Sequence, residues 1–282
     1  MIIGIIGMGY VGTALKEGFK DYYKIETYDI KTSLSSCDSI NSLVSKSKII
    51  FLCVPTPMNK NGSCDLSIVE NIIDEIDSCI DNQSDKIIVI KSTVPPGTTE
   101  NLNNKYHNFN IVFNPEFLTE ANFINDFKNQ NRIILGGSQS VTNKIQQFYI
   151  KIFPKAKIIE TGSTYAEMVK YFANTFLATK VSFANEMKLI CDKLDIDYSK
   201  VVEYAVYDNR LGDSHWSVPG PDGKLGFGGS CFPKDIKALI FVASKLGIDP
   251  ALLKSVWDTN LKVRPEKDWE KLKGRAISND ED

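Results

Sequence analysis

Cys231 is the residue best suited to covalent chemistry, because the sequence around it predicts a thiol at the start of a helix. The segment Gly226-Phe227-Gly228-Gly229-Ser230-Cys231-Phe232-Pro233-Lys234-Asp235 precedes an amphipathic stretch over residues 236–246. Pro233 suits the first turn of that helix. Unsatisfied N–H groups and the helix dipole favour a thiolate at such a position, and the Lys234 ammonium adds to the effect. The pattern therefore predicts a nucleophilic thiol rather than a buried, inert one.

A second pair of polar residues lies on another predicted helix. Lys170 and Asn174 are four residues apart and so share a helical face. An ammonium beside an amide can hold a developing oxyanion. The alternative, a solvated lysine and a capping or surface asparagine, is the more common outcome for such a pair taken alone.

The N-terminus carries a glycine motif, Gly7-Met8-Gly9-Tyr10-Val11-Gly12, directly after a predicted strand and at the start of a predicted helix. Its glycines allow the backbone to approach a pyrophosphate, which rests on the helix N-terminus. Asp29 follows at the end of the second predicted strand, where it can accept the ribose hydroxyls and repel a 2′-phosphate. Lys31 weakens that preference without reversing it. We therefore predict NAD rather than NADP as the cofactor.

Short runs rich in isoleucine and valine alternate with helical segments up to about residue 160, which predicts a parallel sheet covered on both faces. The predicted strands are Ile2–Ile6, Lys24–Tyr28, Ile49–Val54, Lys86–Ile90, Ile111–Phe113, Arg132–Leu135 and Lys157–Ile159. We expect an α/β fold, a Rossmann-like doubly wound parallel sheet, as an NAD-binding domain over residues 1–160.

Beyond Gly162 the pattern becomes helical. Thr164-Tyr165-Ala166-Glu167 fits a capping box, and apolar residues at helical spacing predict one long helix over about residues 165–193. We expect its aromatic side chains to belong to the core. One small domain cannot cover so long a helix, so we expect an all-α dimerisation domain that includes the catalytic cysteine over residues 161–264, and a homodimer. Residues 265–282 are predicted as a polar C-terminal tail, in which Trp269 and Leu272 can still dock a short helix.

Composition excludes several classes of protein. The 33 basic and 35 acidic residues give a net charge of −2, which argues against a nucleic-acid partner. The six cysteines form no CxxC pair and there are two histidines, so we expect neither a metal site nor a disulfide framework. The N-terminus lacks a basic leader, and no apolar run reaches membrane-spanning length. We therefore expect a cytoplasmic protein with no membrane partner.

Together these motifs resemble the UDP-glucose/GDP-mannose dehydrogenase family, the nucleotide-sugar 6-dehydrogenases. The resemblance includes the glycine motif, the Lys170 helix and the Cys231 segment. Three further motifs carry it: Val54-Pro55-Thr56-Pro57, Lys91-Ser92-Thr93-Val94-Pro95-Pro96-Gly97-Thr98 and Asn114-Pro115-Glu116-Phe117-Leu118. Phe232, after the cysteine, is more similar to the UDP-glucose branch than to the mannose branch.

The resemblance implies an oxidoreductase of nucleotide-sugar metabolism and polysaccharide biosynthesis. It implies oxidation of a primary alcohol to a carboxylate, UDP-glucose to UDP-glucuronate, by two hydride transfers to NAD. By the same resemblance, Cys231 captures the aldehyde as a thiohemiacetal whose oxidation gives a thioester. The resemblance makes Lys170 and Asn174 stabilise the oxyanion. It makes Thr93 and Asp235 position a water, whose proton is handled by Glu116 or Glu120.

The resemblance also implies which residues contact the ligands. For the cofactor these are Gly7, Gly9, Tyr10, Val11, Gly12, Asp29, Lys31, Val54, Pro55, Thr56, Thr93, Glu120, Lys234 and Arg264. For the sugar nucleotide they are Glu116, Phe117, Leu118, Lys170, Asn174, Arg210, Phe227, Gly228 and Cys231. Arg210 is expected to reach the substrate from the partner subunit. The connection from Arg210 to Gly226 is longer than usual for the family.

Family members typically continue into another α/β domain that holds the nucleotide half of the substrate, whereas this sequence stops at Asp282. We therefore expect a short form that lacks the UDP-binding domain. Three different functions stay open beside the one that the resemblance favours. They are a dehydrogenase for GDP-mannose or a UDP-N-acetylhexosamine, a β-hydroxyacid dehydrogenase that needs no thiol, and a catalytically silent nucleotide-binding partner of another protein.

Overall fold

The computed structural model describes residues 1–80, 82 and 84–279, and the chain divides into two compact units. Unit 1 comprises Met1–Thr56 and Leu66–Lys170. Unit 2 comprises Pro57–Asp65 and the chain from Tyr171 onward.

Unit 1 is built on a sheet that contains seven strands among the described residues. They are β1 (Ile2–Ile6), β2 (Lys24–Tyr28), β3 (Ile49–Leu52), β4 (Ile87–Ile90), β5 (Asn110–Phe113), β6 (Arg132–Gly136) and β7 (Lys157–Thr161). The order across the sheet is β2-β1-β3-β4-β5-β6-β7. Each predicted strand is present, and the predicted Rossmann-like fold class is confirmed.

One strand pair departs from the expected parallel arrangement. β6 runs antiparallel to β5 through a single register pair, Phe113 with Gly136, whereas the other neighbours are parallel. A parallel return needs a crossover helix over the sheet. The helix in this connection, α5 (Phe123–Lys128), packs instead on α1 (Tyr10–Phe19) through the rings of Phe127 and Phe19, whose centroids are 5.4 Å apart.

Both faces of the sheet are covered, as alternation along β3 shows. Ile50 and Leu52 join one buried apolar cluster, while Ile49 and Phe51 join the other, because successive strand side chains point to opposite faces. The remaining helices of this unit are α2 (Ile40–Lys46), α3 (Ser67–Ser78), α4 (Thr98–Lys105) and α6 (Gln139–Ile150), with a short 3-10 helix at Thr32–Leu34.

The predicted long helix is confirmed as α7 (Ser163–Lys193), whose 31 residues begin in unit 1 and continue in unit 2. Unit 2 is helical. Its further elements are α8 (Tyr198–Ala205), α9 (Phe232–Lys245) and α10 (Ala251–Val263), with short 3-10 helices at Asn209–Leu211 and Asp268–Lys271.

Two expectations about α7 are wrong. Four of its five aromatic residues are not core: Tyr165 is 74% exposed, Phe172 67%, Phe176 56% and Phe183 53%, because their face of the helix is uncovered in the single chain, whereas Tyr171 is buried. Glu167 does not close a capping box. Its carboxylate instead accepts the backbone N–H groups of Gly97 and Thr99 at 2.6 and 2.8 Å, and so caps α4.

The predicted polar tail is folded as far as the structure describes it. Trp269 and Ala276 are buried, and the backbone of Met58 pairs with residues 276 and 278. The last predicted tail residues, 280–282, lie outside the described residues. Within the described residues there is no helix long and apolar enough to cross a membrane, and no group of three or more His, Cys, Asp or Glu side chains that could hold a metal ion.

Candidate active site

The glycine motif forms the loop between β1 and α1. Gly7 has a φ of +89°, and a Cβ there would lie 2.6 Å from the Cys53 carbonyl oxygen, so the position requires glycine. Gly9 precedes the first helical residue, makes no side-chain cap, and would place a Cβ in open space. The uncapped N-terminus of α1 and the open backbone at Gly9 fit a bound pyrophosphate.

Asp29 follows β2 and is tied to the same loop. Its carboxylate accepts the Met8 N–H at 2.6 Å and the Lys31 N–H at 2.8 Å. β1 lies between β2 and β3, where the strand order reverses, which is the usual place for a dinucleotide in such sheets. The residues present therefore fit the predicted cofactor.

The loops after β3 and β4 are joined by two side-chain bonds. The buried Thr56 hydroxyl donates to the Thr93 carbonyl at 2.8 Å, and the Ser92 hydroxyl donates to the Val54 carbonyl at 2.6 Å. Val54, Thr56 and Thr93 thus lie together at the carboxyl ends of neighbouring strands, whereas Pro55 and Lys31 are exposed.

Glu116 and Lys170 form a buried ion pair. The Lys170 ammonium donates to Glu116 Oε1 at 2.9 Å and to the Glu116 carbonyl at 2.6 Å, and the other carboxylate oxygen accepts the Leu118 N–H. Burial alone would raise the pKa of Glu116, but Lys170, the Leu118 N–H and Lys91 together hold that pKa below its ordinary value. Glu116 is therefore a carboxylate at neutral pH and can accept a proton.

Lys91 is a second buried cation near Glu116 and helps to lower the pKa of that carboxyl. Its ammonium donates to Asn114 Oδ1 at 2.8 Å, and the same oxygen accepts the Tyr149 hydroxyl. Burial lowers the pKa of Lys91 to about 8. The nearby Cys53 thiol has a pKa raised by burial to about 12 and is inert.

Cys231 is the N-cap residue of α9, with Pro233 in the first turn. The side chain makes no cap bond, so the dipole end of the helix lies beside the thiol. Asp235 is 1% exposed, and its carboxylate accepts Asn174 Nδ2 at 2.6 Å and Lys234 Nζ at 2.5 Å. The structure thus joins Asn174, Lys234 and Asp235 in one hydrogen-bonded cluster at the start of the cysteine helix.

Lys234 supplies the positive charge of this cluster. Burial by itself would lower the pKa of Lys234, but Asp235 and Cys231 outweigh that effect and raise it above the ordinary value. Lys234 is therefore charged at neutral pH. A permanent cation and a helix N-terminus near one thiol are the conditions that favour a thiolate.

Two asparagines hold the loop before Cys231. Asn260 accepts the Phe227 N–H at 2.7 Å and donates to the Phe227 carbonyl at 2.9 Å, while Asn185 accepts the Gly226 N–H at 3.0 Å. The Phe227 ring itself is buried among Ile236 and other apolar side chains. Gly226 and Phe227 are thus fixed through their backbone groups.

Two predicted ligand residues have other partners in this structure. The Arg210 side chain is 87% exposed and pairs with Asp208. Arg264 is 2% exposed and pairs with Asp222 and Asp268. Glu120 is exposed on the surface after β5.

The prediction from sequence missed four residues that organise the site. Lys91 begins the motif at residues 91–98, so its charge beside buried strands was an available signal. Glu167, Asn185 and Asn260 had none, because each acts on backbone groups 33 to 70 residues away.

The sheet order, the glycine loop and Asp29 define the class of protein, a dinucleotide-binding α/β protein of the Rossmann type. Similarity to known proteins narrows this class. Residues 24–155 match the NAD binding domain of the UDP-glucose/GDP-mannose dehydrogenase family, and residues 164–262 match its central domain. The chain belongs to this family, and the predicted cofactor, NAD, is confirmed with it.

Three similar proteins illustrate the relationship. A UDP-glucose 6-dehydrogenase of Bacillus subtilis is 33% identical over 93% of this chain. The structure of a UDP-glucose dehydrogenase from Pyrobaculum islandicum matches with a TM-score of 0.82 at 30% identity, covering 93% of this chain and 68% of that one. A 3-hydroxyisobutyrate dehydrogenase of Mycobacterium tuberculosis, with a TM-score of 0.73 and 94% of each chain covered, is 15% identical and shares the fold alone.

This chain spans only part of its curated relatives. It covers 63% of the Bacillus subtilis protein and 51% of a UDP-glucose 6-dehydrogenase of Rickettsia bellii, to which it is 38% identical over 80% of its own length.

Proposed function

We propose that this chain is an NAD-dependent UDP-glucose 6-dehydrogenase that converts UDP-glucose to UDP-glucuronate. The observation that carries the proposal is Cys231 at the N-terminus of α9, next to the cluster of Asn174, Lys234 and Asp235, in a member of this family. NAD, when bound, supplies the hydride acceptor for both oxidations.

The proposed chemistry uses the thiol to retain the aldehyde. The primary alcohol loses a hydride and a proton, and Cys231 Sγ then bonds to the aldehyde carbon to give a thiohemiacetal. Loss of a second hydride and a proton gives a thioester. Water adds to the thioester, the C–S bond breaks, and the carboxylate and the thiol are released.

Six side chains are proposed to manage charge and water during these steps. Lys170 and Asn174, one helical turn apart on α7, stabilise the oxyanion. Asp235 and Thr93 orient the water. Glu116 accepts its proton, which the lowered pKa of Glu116 supports, because that carboxylate is ionised at neutral pH. Glu120 is the alternative base.

The cofactor contacts proposed on the strand ends agree with the loop geometry. Gly7 and Gly9 lie in the loop, and Tyr10, Val11 and Gly12 form the first turn of α1. Asp29 and Lys31 lie after β2, and Val54, Pro55, Thr56 and Thr93 follow β3 and β4. Lys234 is proposed to serve both the thiol and the dinucleotide. Phe117, Leu118, Phe227 and Gly228 are proposed substrate contacts.

We also propose that the protein is a homodimer. The exposed aromatic residues of α7, Tyr165, Phe172, Phe176 and Phe183, lie at heptad-like spacing, and the rings of Phe172 and Phe176 stack at 6.5 Å. A contiguous apolar face of this kind marks an interface, and a second copy presents the same face. Arg210, exposed on the surface, is then available to the partner's substrate. Sedimentation of wild type and of Phe176→Glu tests this: wild type should be dimeric and the variant monomeric.

The decisive assay mixes purified protein with NAD and UDP-glucose. We expect two NADH per UDP-glucose. Cys231→Ser should stall the reaction, whereas Cys79→Ser, which changes a thiol at the end of α3, should not. No NADH, or one equivalent only, would contradict the proposal, and greater turnover of GDP-mannose or a UDP-N-acetylhexosamine would reassign the substrate.

The same proteins also test whether the chain is a β-hydroxyacid dehydrogenase or a catalytically silent nucleotide-binding protein. A β-hydroxyacid dehydrogenase would retain its activity in Cys231→Ser, because its chemistry needs no thiol. A catalytically silent partner would bind NAD in calorimetry and show no heat with any sugar nucleotide.

A further inference from the structure

The long connection between Arg210 and Gly226 contains a segment, residues 219–223, to which the proposed chemistry assigns no role. Its Asp222 carboxylate accepts Arg264 NH2 at 2.6 Å. The same guanidinium donates to Asp268 through Nε at 2.8 Å and NH2 at 2.7 Å. Arg264 is thus a buried cation held between a loop carboxylate and one from a short helix.

The guanidinium also lies against the cysteine loop. Arg264 NH1 donates to the Leu225 carbonyl at 3.3 Å, and a Cβ on Gly228 would overlap the guanidinium group. Gly228 is three residues before Cys231. Asn260, one turn earlier on α10, holds Phe227 from the same helix. Side chains at the C-terminal end of α10 therefore contact the loop at Leu225, Phe227 and Gly228.

Arg264 has little remaining capacity to donate hydrogen bonds to a ligand. An arginine side chain has five N–H groups, and four of them donate to Asp268, Asp222 and the Leu225 carbonyl. The paired carboxylates raise the pKa of Arg264, and the hydrogen bonds from Arg264 lower the pKa of Asp268 to about 2, so this network is charged at neutral pH. At 2% exposure, the guanidinium is engaged within its own unit.

We infer that Arg264 is a positioning residue: it fastens the Asp222 segment to α10 and thereby fixes the loop that presents Cys231. This role differs from the dinucleotide contact implied by the family resemblance. It rests on the proposed function only in taking Cys231 as the reactive thiol.

The test measures alkylation of Cys231 by iodoacetamide in the full chain, without substrate, by mass spectrometry of its peptide across a range of pH. We expect Arg264→Met to react about tenfold more slowly at neutral pH, with its profile displaced to higher pH, because the thiol loses its alignment with the helix N-terminus. Asp222→Asn, which leaves the pair with Asp268, should slow the reaction by about threefold. Lys262→Met, which removes an exposed cation of the same helix, should react as wild type.

Calorimetry of NAD binding to the same variants tests the alternative, that Arg264 contacts the cofactor. If Arg264→Met weakens NAD binding while its alkylation profile matches wild type, Arg264 is a cofactor contact and the inference is overturned. Should Arg264→Met fail to fold, Asp222→Asn and Arg264→Lys decide, and an unchanged profile in both overturns the inference. Failure of the proposed function would appear separately, as wild-type protein that alkylates normally but makes no NADH.

Discussion

The Glu116 region and the Cys231 loop are positioned in opposite ways. Glu116 follows β5 and its support, Lys91, follows β4, so the sheet itself sets their places. The loop before Cys231 has no strand beneath it and depends on Asn185 and Asn260, which are 41 and 33 residues away from the groups they hold. The first region therefore inherits its geometry from backbone topology, whereas the second depends on a few buried amides.

Of the variants that test this comparison, Asn260→Ala should have the largest effect on the free energy of unfolding. It leaves the N–H and carbonyl of the buried Phe227 without partners, at about 1–3 kcal/mol each, so we expect the free energy of unfolding to fall by about 4 kcal/mol. Asn260→Asp keeps the acceptor but buries a carboxylate whose second oxygen faces the Phe227 carbonyl, so it should not recover the loss. Urea unfolding measures both. Ser255→Ala on the exposed side of α10 is the control and should cost little. If Asn260→Ala lowers the free energy of unfolding no more than Ser255→Ala does, the loop does not depend on this amide.

Lys91 tests the strand-end region through pH. Burial lowers the pKa of Lys91 from 10.5 to about 8, so between these values the unfolded chain binds more protons than the folded one. The free energy of unfolding should therefore rise with pH across this window. We expect wild type to gain up to about 3 kcal/mol relative to Lys91→Met between the two ends.

Urea midpoints at each pH provide the measurement for Lys91. The exposed Lys48→Met serves as the matched control and should follow wild type throughout. A constant difference between wild type and Lys91→Met over the window would show that Lys91 is not a buried titrating cation.

The smallest expected effects separate folding from binding in the glycine loop. A Cβ on Gly12 would overlap the Gly7 carbonyl, so Gly12→Ala should lower the free energy of unfolding by about 2 kcal/mol. Gly9→Ala meets open space and should cost less than about 1 kcal/mol. It should nevertheless weaken NAD binding at least about tenfold, because the pyrophosphate needs that space. Calorimetry measures this affinity. If Gly9→Ala binds NAD as tightly as wild type, the pyrophosphate does not lie against Gly9.

The sheet was predictable from sequence because buried parallel strands consist of nearly continuous isoleucine and valine. The predicted and observed bounds of β1 and β2 coincide. β3 ends two residues before its predicted end at Val54, because the chain turns away after Leu52 towards the loop that Ser92 holds. The glycine motif and the Cys231 helix start were equally local signals.

Contacts between elements that are distant in the sequence were not predictable in the same way. The aromatic periodicity of α7 predicted a helix correctly and its burial wrongly, because periodicity identifies a face without identifying what covers it. Glu167 fitted a local capping box, yet its carboxylate accepts the backbone N–H groups of Gly97 and Thr99 at the start of α4, 70 and 68 residues away in the sequence. Arg264 gave no signal of its carboxylate partners beyond its charge.

Redesign of cofactor preference would have to contend with a second role of Asp29. An engineer who wanted the 2′-phosphorylated dinucleotide would replace this carboxylate by a neutral or basic side chain. The same carboxylate is the acceptor for the Met8 N–H, inside the glycine loop. A substitution made for selectivity would therefore also loosen the pyrophosphate loop, and a successful redesign has to supply a new acceptor for that N–H along with the new specificity.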